Sequence, residues 1–125
     1  MKALRTLILF ITVFSASNNI IAQSGLFRDE SSVASYMEGK RFYNAANGLE
    51  VEYGYISSYN TNGIIVKNAS GAKFYFINVT ISAYGSFADL YGINVDDGGN
   101  FGFRLYQGKL VVGRGEPGEQ TFFLR

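Results

Sequence analysis

The stretch 73–84 places apolar side chains at every second position, and β-branched and aromatic residues dominate it. The alternating residues are Tyr75, Ile77, Val79, Ile81 and Ala83. A period of two residues is that of a β-strand, whose side chains point to opposite faces in turn. The stretch therefore predicts the central strand of a sheet, with Phe74 and Phe76 on the second face in need of an apolar cover.

The first residues of the chain have the order of a secretory signal peptide. A basic start with Lys2 and Arg5 precedes the apolar run 7–14, and small and polar residues follow over 15–23. The apolar run is far shorter than the ~20 residues that span a bilayer. We therefore expect a signal peptide over residues 1–23 and a single mature domain over 24–125, although a short core helix or a membrane anchor remains an alternative for the apolar run.

Charge and cysteine content limit the partners and the location of the mature domain. The signal peptide carries Lys2 and Arg5, so nine basic residues remain against ten acidic ones, and the net charge is near −1. Without a basic block, neither nucleic acid nor an anionic membrane is an expected partner. The chain has no cysteine, so we expect neither a disulfide framework nor a cysteine-linked lipid anchor. The mature domain is expected to be secreted or periplasmic, without a membrane span.

Residues 28–39 form the one convincing predicted helix. Asp29 is a suitable N-cap, and Gly39 can adopt the left-handed conformation that ends a helix. One face of this helix is apolar, and it holds Val33, Tyr36 and Met37. We expect that face to cover Phe74 and Phe76.

The remaining chain reads as short strands separated by turns. Predicted strands begin at residue 40 and cover 49–57, 64–67, 73–84, 88–95, 101–106, 109–113 and 121–125. In the strand 49–57 the residues expected to face inward are Leu49, Val51, Tyr53 and Tyr55, with Ile56 outward. Turns are predicted at 60–63 and 107–108. The pattern predicts an all-β domain, a small antiparallel meander of about seven or eight strands that forms a barrel or sandwich, with one short N-terminal helix.

The segment 36–42, Tyr-Met-Glu-Gly-Lys-Arg-Phe, leads from the end of the helix into the first strand. Together with the Ala22-Gln23 end of the leader, it resembles the opening of small exported β-proteins of Bacteroidota. The resemblance covers the signal peptide and a short segment after it. It implies export and a β-fold, and it implies no catalytic or binding residue.

Catalytic chemistry has few candidate residues in this chain. The absence of histidine excludes Ser-His-Asp and Cys-His arrangements. Glu50 and Glu52 lie on one face of a strand and are the only candidates for the paired carboxylates of a glycosidase, although a solvated strand face explains them as well. The loop 96–100 has oxygen ligands but lacks the spacing of a calcium loop. We therefore assign no catalytic residue, no cofactor and no metal site.

Tyrosine is the most informative residue type for function. A tyrosine side chain combines a flat apolar ring with a polar tip, which suits contact with sugars, peptides and proteins. The candidate binding residues, expected near strand ends and turns, are Tyr55, Tyr59, Tyr84, Arg104 and Tyr106. The leading hypothesis is an exported, non-enzymatic binding module for a protein or glycan partner. The alternatives are a structural component that oligomerises through its strand edges, and a small carboxylate enzyme that acts on glycans.

Overall fold

The computed structural model describes residues 25–125, which form one closed antiparallel β-barrel with a short helix before it. The predicted signal peptide lies outside the described residues. The elements are α1 (Glu30–Met37), β1 (Phe42–Asn44), β2 (Leu49–Ile56), a 3-10 turn (Ser57–Tyr59), β3 (Thr61–Lys67), β4 (Lys73–Ala83), β5 (Phe87–Asn94), β6 (Asn100–Tyr106), β7 (Lys109–Val112) and β8 (Gln120–Leu124). The prediction of an all-β meander of about eight strands with one N-terminal helix is confirmed.

Each strand pairs with its neighbours in sequence, and β1 closes the barrel by pairing with β8. The closing register places Phe42 opposite Leu124 and Tyr43 opposite Phe123. Just beyond it, the Arg125 backbone N–H donates a hydrogen bond of 3.0 Å to the Arg41 carbonyl oxygen. Short turns connect the strands, and such links permit only antiparallel neighbours. The sheet therefore closes on itself without a crossover.

Side chains fill the interior of the barrel. One contiguous cluster of buried residues draws on α1 and on every strand of the barrel. Its members are Phe27, Val33, Met37, Phe42, Val51, Ile64, Phe76, Ala88, Leu90, Phe103, Leu105, Leu110 and Phe122. An eight-stranded barrel is wide enough either for a packed core or for one small ligand. Here the aromatic and branched side chains occupy that space.

The central strand β4 contains a β-bulge that changes which side chains face inward. Its register with β5 shifts between Ile77 and Thr80, and Asn78 there has a φ of 53°. Phe76 is buried in the core before the bulge, whereas Val79 packs against the core after it. The expectation that every second residue from Tyr75 onward shares one face is therefore wrong, because the bulge inserts one residue into the alternation.

Helix α1 lies against one rim of the barrel. Asp29 is its N-cap, as predicted, and forms a capping box with Ser32. The Tyr36 hydroxyl accepts a hydrogen bond of 2.8 Å from the Gly108 backbone N–H in the β6–β7 turn. Phe27, just before the helix, exchanges backbone hydrogen bonds with Gly85 between β4 and β5. These contacts hold the helix at the rim formed by the β4–β5 and β6–β7 connections.

The cover of the two central phenylalanines differs from the one predicted. The Phe76 ring packs edge-on against Phe101 at 5.2 Å and against Phe103 at 5.4 Å. Phe74 remains 39% exposed. The expectation that α1 covers both residues is wrong for Phe74, and the rings of β6 supply cover for Phe76 that the prediction had assigned to the helix.

The β2–β3 connection is also displaced from its predicted position. The turn consists of the 3-10 segment Ser57–Tyr59 and Asn60 after it, which has a φ of 52°. Residues 61–63 therefore belong to β3 and not to a turn. Ile56, expected on the solvent side, is buried because it lies over Gly63, whereas Tyr55, expected inward, is 60% exposed. The Ile56 side chain therefore occupies the space that a side chain at position 63 would need.

Gly63 and its cross-strand partner Gly54 provide a matched test of this packing. A Cβ atom on Gly63 would lie 2.5 Å from the Phe76 carbonyl oxygen and 2.8 Å from Ile56, whereas one on Gly54 meets nothing within 4 Å. We expect Gly63→Ala to lower the free energy of unfolding by about 1–3 kcal/mol. Gly54→Ala should change it by no more than about 0.5 kcal/mol or stabilise the strand. Urea denaturation of both variants measures the difference, and equal stabilities would contradict the described packing.

Candidate functional site

Three of the five predicted binding residues lie together on the outer surface of the barrel. Tyr84 follows β4, and Arg104 and Tyr106 lie on β6. The strand between them, β5, contributes Phe87 directly opposite Tyr106 and Asp89 directly opposite Arg104. The antiparallel register of β5 and β6 therefore brings these side chains together, since directly opposite residues share a face.

Tyr84, Phe87 and Tyr106 form a row of rings that we call the aromatic shelf. Tyr84 stacks on Phe87 with ring centroids 5.0 Å apart and an interplanar angle of 26°. Phe87 and Tyr106 follow at 6.2 Å with a tilt of 44°. Tyr84 is 52% exposed, and the other two rings are half-buried. The shelf therefore offers flat apolar area with two phenolic hydroxyl groups beside it.

Arg104 is fixed beside the shelf by a two-point ion pair with Asp89. Its Nε and Nη2 atoms donate hydrogen bonds of 2.7 and 2.9 Å to the two carboxylate oxygens. The guanidinium also lies 4.1 Å from the centroid of the Phe87 ring. The hydrogen bonds that Arg104 donates to Asp89 raise the pKa of its guanidinium above the ordinary value, although burial opposes them. Both side chains are mostly buried, so Asp89 holds the permanently charged guanidinium of Arg104 in a fixed orientation.

A small recess adjoins the shelf on the same outer face. Its volume is about 250 Å³, and Asp89 and Arg104 line it together with Tyr91 and residues of the 113–116 loop. The Tyr91 ring lies across Gly102, where a Cβ atom would come within 2.9 Å of the ring. The ion pair therefore borders both the shelf and the recess, and a ligand on this face would meet rings and charged hydrogen-bonding groups together.

Tyr55 and Tyr59, the other predicted binding residues, lie away from the shelf around the β2–β3 connection. The Tyr55 hydroxyl hydrogen-bonds to the Asn60 side chain. Tyr59 packs edge-on against Tyr75 at 6.1 Å. Close to them, burial raises the pKa of Tyr53, and the charge of Glu30 adds to the effect. The structure therefore separates the five predicted residues into a group of three and a group of two.

Sequence reasoning missed the members of the site that come from β5. Phe87, Asp89 and Tyr91 lie in a segment whose glycines made its structure hard to assign. The signal that could have found them is the pairing of this segment with β6. Once that register is known, Phe87 and Asp89 fall opposite Tyr106 and Arg104.

The two glutamates considered as a catalytic pair lie on the same strand face but contact basic side chains. The Glu50 carboxylate lies 3.6 Å from Lys67 Nζ and 3.5 Å from Arg125 Nη1. Glu52 lies 3.9 Å from Arg41 Nε. The two positions of β2 therefore serve an ion-pair network on the outer surface, which accounts for their spacing without a catalytic role.

The described residues form neither a metal site nor a membrane-spanning helix. Over residues 25–125, no group of three or more acidic side chains is arranged to hold a metal ion. No helix in this part of the chain has the length and apolar content needed to cross a membrane. Neither a family model, nor a curated protein, nor a solved structure matches this chain.

The Asp89–Arg104 pair gives a direct test of the site's rigidity. Asp89→Asn keeps the shape of the side chain but removes the charge, so we expect the free energy of unfolding to fall by about 1–3 kcal/mol. Asp96→Asn, in an exposed loop, is the matched control and should change stability by less than about 0.5 kcal/mol. Chemical denaturation at neutral pH compares the two, and an unchanged Asp89→Asn variant would show that the pair does not order this face.

Proposed function

We propose that this protein is an exported, non-enzymatic binding module that recognises a glycan chain with the outer face of its barrel. The observation that carries the proposal is the fixed Arg104–Asp89 pair beside the exposed ring of Tyr84 and the half-buried ring of Tyr106. The packed interior supports it, since a core filled by its own side chains directs ligand contact to the surface. Export to the periplasm or the exterior is part of the proposal and rests on the predicted leader.

The chemistry of this face suits a carbohydrate. A sugar ring has apolar C–H faces that pack on aromatic rings and a rim of hydroxyl groups that form hydrogen bonds. The aromatic shelf supplies the rings, and Asp89 and Arg104 supply a charged acceptor and donor within the adjoining recess. Because the ion pair is already formed, little side-chain entropy is lost when a ligand binds. A protein partner is the competing occupant of the same face.

The closed barrel bears on the assembly hypothesis. Assembly through apolar strand edges requires unpaired edges, and within residues 25–125 the pairing of β1 with β8 completes the ring of strands. A structural role would therefore depend on face-to-face contact, for which Phe123, 60% exposed, is the largest apolar candidate on β8. We retain assembly as the second proposal, and concentration-dependent size-exclusion chromatography separates it from the first.

Substitutions on the shelf test the proposed function. Residues 24–125 are screened on a glycan array, and the affinity for the best ligand is then measured for Tyr84→Ala and Tyr106→Ala. Each substitution should weaken binding by about fivefold to tenfold through loss of ring contact.

The matched controls are Tyr55→Ala and Tyr59→Ala, which remove exposed tyrosines outside the shelf. Both should bind as the unsubstituted protein does. If the controls lose affinity while the shelf variants keep it, the binding surface is the β2–β3 connection and the proposal is wrong. Silence across the array, with specific capture of an envelope protein, would assign the same face to a protein partner.

A further inference from the structure

The basic residues of the domain are concentrated in one groove. Residues 25–125 contain nine of the chain's 11 lysines and arginines, because Lys2 and Arg5 lie before them. Four of the nine line a single groove on the outer surface, which we call the basic groove: Lys40, Arg41, Lys67 and Arg125. Glu50 contributes the one acidic side chain among its lining residues. A domain with a net charge near −1 therefore carries a local excess of positive charge.

The floor of the basic groove follows from the register of the strands. Tyr43 of β1 lies opposite Glu50 of β2, and Glu50 lies opposite Lys67 of β3. Directly opposite residues of antiparallel strands share a face, so these three side chains form one row across the barrel. Arg125 joins the row from the end of β8, with its guanidinium 4.1 Å from the centroid of the Tyr43 ring.

Glu50 makes only long contacts with the two cations around it. Lys67 and Arg125 approach its two oxygens at 3.6 and 3.5 Å, which are long contacts, and Glu50 is 12% exposed beneath them. Lys67 and Arg125 are 37% and 59% exposed, so donors on both remain free to face the groove. One mostly buried carboxylate therefore orients two cations without neutralising the groove.

The next residue in this row adds to the excess of positive charge. Lys73 of β4 lies directly opposite Lys67 of β3. Like charges in directly opposite positions destabilise a pair of strands. A bound anion would relieve this repulsion as well as pairing with the groove's free donors.

We propose that the basic groove binds an anionic carbohydrate chain through its carboxylate or sulfate groups. The groove volume of about 890 Å³ is within the range of ligand sites and leaves room for more than one sugar ring. Its four cations match an anion by charge, and a guanidinium group pairs well with the planar geometry of a carboxylate. The groove is built from β1, β2, β3 and the end of β8, so it is separate from the aromatic shelf and does not depend on it.

The experiment measures binding of residues 24–125 to polygalacturonate and to dextran sulfate, with uncharged dextran as the reference. Lys67→Gln and Arg41→Gln should each weaken binding of the acidic polymers by about tenfold, the loss expected for one hydrogen bond with a charged partner. The plot of log affinity against log salt concentration has a negative slope, and its magnitude should decrease by about 1 for each cation removed. Glu50→Gln should strengthen binding, because it removes the competing carboxylate, and a purely structural role for Glu50 predicts the opposite.

Lys109→Gln and Arg28→Gln are the matched controls, since they remove the same charge outside the groove. Both should bind as the unsubstituted protein does, with circular dichroism confirming that every variant is folded. Equal losses in all four cation variants would show unspecific charge attraction and overturn the proposal. Tighter binding to duplex DNA or to vesicles of anionic phospholipid than to both acidic polymers would also overturn it. Tyr84→Ala should leave this binding unchanged, so failure of the groove is distinguishable from failure of the shelf.

Discussion

The pairing of the three-residue strand β1 with β8 is the interaction on which the rest of the structure depends. Only two residue pairs form this ladder, and they join the first and the last strand of the barrel. With the ladder in place, all eight strands have two neighbours and the apolar faces enclose one core. Without it, β1 and β8 would present open edges rich in aromatic residues, which are sites of aggregation.

Closure and a packed core together determine where function can reside. The interior positions hold large apolar side chains, and α1 is fastened to one rim by the hydrogen bond between Tyr36 and Gly108. Chemistry is therefore left to the outward-facing residues of the strands. Two outer surfaces stand out: the aromatic shelf with its Arg104–Asp89 pair, and the basic groove on the strands around the closing ladder.

The strands could be predicted from alternation, but the faces could not always be assigned. In β4, apolar residues occupy both sides of the strand, so the pattern reads as continuous through Asn78 although the backbone there is left-handed. The odd-numbered positions from 75 to 83 are apolar or aromatic on both sides of the bulge, so a period-two pattern runs through it unbroken. The turn after β2 lies earlier than predicted, because its left-handed residue is Asn60, the first residue of the predicted turn 60–63.

The sequence predicts residues of the aromatic shelf but not the basic groove, whose residues are far apart in the chain. Tyr84, Arg104 and Tyr106 were selected for their side-chain chemistry, and strand register then placed them on one face. The basic groove is lined by Lys40, Lys67 and Arg125, which are far apart in the chain, so no basic block in the sequence predicts it. Only the closed ladder order brings these charges together.

The closing ladder can be measured directly by nuclear Overhauser spectroscopy on residues 24–125. The account predicts cross-strand contacts between the backbone protons of Phe42 and Leu124 and of Tyr43 and Phe123, with the Arg125 amide protected from exchange by its bond to Arg41. If β2 to β7 show their cross-strand contacts while β1 and β8 show none to each other, the barrel is open and the account is contradicted.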